Sequence, residues 1–185
     1  MIVRLRHSIE AVPKSASMPL ARRLGKSAPA ATLTFPGSWD QNVFMNEMIY
    51  PRSPRETMNG WMHLPRFVDK IRLHLAVKLH PDYQPNLCKG FDGLWLETAG
   101  VEAQEFIEVV RRSLTDGEVC DWVRQNANKL ESVKLAHRER MLNYPKPDDA
   151  EMQARLKLRK EQAGLAHRSD IQTFVDFIDA DEKRI

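Results

Sequence analysis

A chain of 185 residues with 42% hydrophobic and 29% charged side chains has the composition of a soluble globular protein, long enough for one cored domain. No run of eighteen apolar residues exists, which excludes a membrane-spanning helix. The net charge of +3 belongs to residues 1–48, where six Lys/Arg face three Asp/Glu; beyond them twenty-two basic residues meet twenty-two acidic ones. The folded part therefore lacks the basic stripe of a nucleic-acid binder.

Residues 1–48 hold Pro13, Pro19, Pro29 and Pro36 and an Ala/Ser-rich run from Lys26 to Thr34, with no sustained helical period. Such a segment cannot repay the entropy of ordering, so an extended or disordered arm is expected, followed by a single domain over 49–185. Three readings of the arm stand open: a partner-binding segment, an organelle transit segment, and an extension upstream of a natural start at Met45 or Met48. Next, His63-Leu64-Pro65 opens a helix expected to run to Leu79, because proline favours the first helical position and Pro81 pushes His80 out of the α region. Leu64, Phe67, Val68, Ile71, Leu75 and Leu79 form its apolar stripe. Leu73 and Val77 lie opposite, so two covered faces are expected. The run Lys89–Gly93 reads as a turn.

Later helices are simpler. Glu102–Leu114 carries Ala103, Phe106, Ile107, Val110 and Leu114 on one face, and Thr115 starts the next through a capping box with Glu118. Helices around Leu130–Leu142 and Asp148–Ala163 follow, the second closed by Gly164. The last is expected over Ser169–Ile178 behind a Ser169 cap. No paired β-branched runs and no Asn-Gly hairpin are expected. The fold class is all-α, a compact bundle-like domain of about six helices with an irregular N-terminal arm.

One stretch stands apart: Arg52 to Gly93, where prolines, histidines, lysines and glycines crowd around one helix. Its phrases Arg52-Ser53-Pro54-Arg55-Glu56 and His63-Leu64-Pro65-Arg66, with Asp69-Lys70, the loop closed by GFDG and the later LTDGEVCDWVRQN and TFVDFIDADEKR, resemble the bacterial family of unknown function numbered 5069. The resemblance spans Tyr50 to Arg184 and implies a small helical intracellular protein without an agreed activity.

Within the block, Phe67, Lys70, His74 and Lys78 lie along one helix side. Arg66–Asp69 and Asp69–Arg72 are spaced i, i+3, the pattern of a solvated flank with weak ion pairs. The functional reading points Lys70 and His74 into a cleft roofed by Arg52–Trp61 and His80–Gly93. Arg52, Arg55, His63 and Arg66 support them near a positively polarised helix start. That set suits a small anionic ligand or a protein partner. An enzyme using His63, Lys70 or His74 as acid–base groups is the alternative, and a module that oligomerises through Leu73 and Val77 is a third.

Other chemistry is thin. The six histidines form no HExxH and no Glu-x-x-His, and a site from His63, His74 and His80 would need a loop to fold back, so no metal and no cofactor are assigned. Cys88 and Cys120 read as free thiols of a reducing compartment, the cytoplasm, and no basic motif beside them lowers a thiol pKa. Trp61 and Trp95 are expected in the core. Arg155, Lys157, Arg159 and Lys160 are offset by Glu151 and Glu161, which reads as a self-neutralised surface helix.

Overall fold

A computed structural model describes residues 48–185; the expected N-terminal arm and the three readings of it lie outside the described residues. A two-residue hairpin, β1 (Thr57–Met58) with β2 (Trp61–Met62), leads into α1 (Leu64–Leu75), and a 3-10 helix covers Pro81–Asn86. There follow α2 (Phe91–Ala99), α3 (Ala103–Arg112), α4 (Asp116–Asn126), α5 (Glu131–Leu142), α6 (Ala150–Gln162) and α7 (Phe174–Asp181). The described residues thus form an all-α fold with seven α-helices, against about six expected.

The hairpin corrects the sequence reading. Asn59 and Gly60 both adopt positive φ (51° and 79°), the geometry a two-residue I′ turn requires, and Met58 pairs with Trp61 across it. The strands are too short to alternate, and they serve to deliver Trp61 and Met62 into the core. α2 is the second departure. The Lys89–Gly93 run is the entry to a helix, with Gly90 at its N-cap and Trp95, Leu96 and Ala99 facing inward. At Gly93 a Cβ would crowd the Cys88 carbonyl oxygen at 3.3 Å.

α1 occupies the centre, packed by α2, α3 and β1, while β2 and α2 lean on α5 and α6 pairs with α7. Its stripe is buried as the spacing requires: Leu64, Phe67, Val68 and Ile71 are fully enclosed. Phe67 and Phe106 converge on Trp95, with ring centroids 5.9 and 4.6 Å away, and Trp61 meets Trp95 edge-on at 6.1 Å. Each such side chain contributes about 1.5–3 kcal/mol by leaving water. A smaller cluster joins Met62, Met141 and Val175, tying α5 and α7 to the hairpin.

α1 stops at Leu75, one turn before the expected end. Val77 and Lys78 donate backwards to His74 and Leu73, closing a Schellman motif with Val77 left-handed at φ 56°. Val77 is therefore 93% exposed and Leu73 only half-buried, so the opposite face is not a second covered stripe. Leu79 does reach the core, from the chain beyond the helix. The Thr115–Glu118 capping box forms as expected. α7 starts later than read, behind a Thr173–Asp176 capping box rather than Ser169. No helix among the described residues is long and apolar enough to cross a membrane.

Candidate functional site

The block from Arg52 to Gly93 is organised around one carboxylate. α2 begins at Gly90, so its first turn carries Asp92 under α1, where the side chain is 1% exposed. His63, left-handed at φ 72° between hairpin and helix, turns its ring inward and sets Nε2 2.8 Å from Asp92 Oδ1. The Lys70 ammonium, two turns along α1, donates to Oδ2, and the Cys88 backbone N–H donates to the same oxygen at 3.0 Å. Lys70 also reaches the Asn86 carbonyl at 3.3 Å. Burial alone would raise the Asp92 carboxyl, but the hydrogen bond from His63 and the charge of Lys70 hold it below its ordinary range. Burial outweighs Asp92 at His63 and lowers its pKa, so the ring is neutral, donates from Nε2–H, and leaves Nδ1 without a partner.

A second centre lies at Glu182, just past α7. Both of its oxygens accept from the Arg66 guanidinium, and Tyr83 and Arg184 add further bonds. Arg66 also donates to the carbonyls of Pro51 and Arg52 and stacks over the Tyr83 ring at 5.5 Å. Burial acts to raise the Glu182 carboxyl, and Arg66 reverses it, leaving the group a carboxylate. Tyr83 is pushed up by burial and by Glu182, so its hydroxyl remains a donor.

The remaining candidates are anchored in the same way. Arg52 forks onto Asp69 and also donates to Asp116 at 2.7 Å, which Arg72 shares from α1. Arg55 bonds Asp176 and Asp179 of α7. Asp69 therefore pairs with Arg52 and not with its helix neighbours Arg66 and Arg72, which corrects the i, i+3 ladder read from the sequence. Only His74 stands apart, exposed and without a side-chain hydrogen bond among the described residues. The structure brings His63 and Lys70 together on Asp92, ties Arg52, Arg55 and Arg66 to carboxylates of α1, α4 and the α7 end, and leaves His74 outside.

Most of the acidic partners are what the sequence reading lacked. Asp92 reads from the sequence as the middle of a glycine turn and as one of two partners open to a buried Lys70, and Glu182 lies 116 residues from Arg66. Among the described residues no three His, Cys, Asp or Glu side chains converge as metal ligands. Both cysteines are free, and burial followed by nearby carboxylates (Asp92 for Cys88, Asp116 for Cys120) raises both thiols, the opposite of an activated nucleophile.

These bridges lie inside a segment with its own family signature: the profile described as Domain of unknown function (DUF5069) matches residues 48–184. The chain belongs to the DUF5069 family. No curated protein matches it. The DUF5069 match begins where the described fold begins and takes in every bridge from Arg52 to Arg184, so the family segment and the ion-paired domain coincide.

Proposed function

We propose that this DUF5069 chain is a non-catalytic binding module that presents the outer rim of the Arg52–Gly93 block to an acidic segment of a partner protein, in the cytoplasm. The supporting observation is Val77. A β-branched residue in the left-handed region costs about 1–2 kcal/mol, at a position where glycine is the favoured residue. Val77 holds that conformation while 93% exposed, so no packing within the described fold repays the strain. Lys78, next to Val77, and Lys89 are exposed on the same block, as are His74 and the acids Glu56 and Asp82, so the rim sets a lysine beside an apolar point.

The buried groups suit a supporting role. Arg52, Arg66 and Lys70 spend their charge on internal carboxylates, which makes a small-anion site at those residues costly to open. His63, Lys70 and Asp92 are each 5% exposed or less, so acid–base work would require the same opening.

The test is fluorescence polarisation with a labelled peptide alternating glutamate and leucine, its lysine counterpart, and free citrate as competitor. The acidic peptide should bind, and Lys78→Glu with Lys89→Glu should weaken it. Val77→Gly should also weaken it while raising fold stability by about 0.5–1 kcal/mol, strain relief less the added chain entropy. Equal binding of both peptides, displacement by citrate, or a dimer that Val77→Gly dissociates would each refute the reading; the last would assign Val77 to a second copy of this chain.

A further inference from the structure

A groove of about 490 Å³ opens between α6, the Asn143–Pro147 connection and the entry to α7, within the size range of small-molecule sites. It shares no lining residue with the Arg52–Gly93 block. Pro145, Leu156 and Ile171 supply apolar wall. Lys157 and Lys160, one turn apart on α6, supply the charge.

Lys160 is held in an unusual way. Its ammonium donates to the carbonyls of Arg168 (2.6 Å) and Ile171 (3.0 Å), which fixes a half-buried cation at the groove with its third N–H free. The nearby acid, Asp170, is taken by both arms of the Arg168 guanidinium. Lys157 has no carboxylate within 4.0 Å among the described residues either. The surface helix expected here forms as α6, but among the described residues neither Glu151 nor Glu161 makes an ion pair with its basic residues. Two lysines against one lining carboxylate, Glu161, leave one uncompensated positive charge beside apolar wall. A partly desolvated cation lacking an anion is an incomplete arrangement.

We infer that this groove binds a small organic monocarboxylate, its carboxylate between the Lys157 and Lys160 ammonium groups and its short apolar body against Pro145, Leu156 and Ile171. Inorganic phosphate satisfies only the cationic half, and a neutral isostere only the apolar half.

Isothermal titration of the full chain with hexanoate, benzoate, hexanamide, benzamide and inorganic phosphate tests this, with amide chemical shifts to locate binding. The two carboxylates should bind, shifting the amides of Lys157, Lys160 and Gln172, and the neutral amides and phosphate should bind more weakly. Lys157 and Ala166 are exposed, so their variants should keep the thermal midpoint. Lys157→Met should weaken hexanoate about threefold, the scale of one solvent-accessible charge contact. Ala166→Trp, which fills the groove, should abolish it. Overturning results are no binding of either carboxylate, equal binding of hexanamide or phosphate, shifts that map elsewhere, or unchanged hexanoate affinity in both variants.

Discussion

Breaking the Lys70–Asp92 pair should unfold the protein at markedly lower urea. Both groups are inside: Lys70 is 5% and Asp92 1% exposed. Removing one member of a buried pair strands the other charge, at a cost of about 3–5 kcal/mol. Lys70→Met leaves Asp92 with His63 and the Cys88 N–H, which still bond it, so the loss should sit near the lower end, about 3 kcal/mol. Asp92→Asn leaves the ammonium with the Asn86 carbonyl at 3.3 Å and a neutral amide, so about 4–5 kcal/mol is expected. For a domain of this size that is roughly 3 °C of midpoint per kcal/mol, hence about 9–15 °C. The double variant buries no isolated charge and should be no worse than Asp92→Asn alone, giving a coupling of about 3 kcal/mol or more. Urea melts followed by the fluorescence of Trp61 and Trp95 in the adjoining core measure all four states. Single losses below about 1 kcal/mol, or losses that simply add, would refute the buried pair.

Two further outcomes follow from the same burial. Stability should fall as pH drops from about 6.5 toward 4: burial pushes His137, bonded to the Met62 carbonyl, down to about 4, and lowers neighbouring His63, so the unfolded chain takes up protons in that window and the folded chain does not. His137→Gln should flatten the thermal midpoint across this range, whereas Asp92, held below 3.8, adds its loss only beneath that value; an unchanged slope would exclude His137 as the group responsible. Glu182→Ala should cost about 3–5 kcal/mol in urea by stranding the buried Arg66 guanidinium, with Glu182→Gln recovering part of it; a loss under about 1 kcal/mol would show that Arg66 is solvated.

The elements legible in the sequence are those whose evidence lies within one or two turns of chain. The α1 stripe, the α3 face and the Thr115–Glu118 box all depend on i, i+3 and i+4 neighbours, which a helix places together wherever it sits. The hairpin and α2 were missed for a local reason as well. Asn59-Gly60 is a strong turn signal, but two-residue strands give no alternation to confirm it, and the glycines around Asp92 broke the apolar period that marks a helix. The start of α7 was misplaced because Ser169 has the side chain of a cap, whereas the cap that forms is Thr173, whose N–H the Asp176 carboxylate folds back to accept.

The fate of the candidate residues belongs to the tertiary structure. Arg66, Asp69 and Arg72 look like an exposed ladder because they are close in sequence. The folded chain instead brings Glu182 to Arg66, Asp116 to Arg72 and Arg52 to Asp69. Lys70 and His74, one turn apart on the same helix, separate completely: α2 covers the first and the helix ends beside the second. Apolar spacing reports which face is buried, but a charge is neutralised by whichever opposite charge the fold places within a few ångströms, and over separations of 17 to 124 residues only the packed chain determines that.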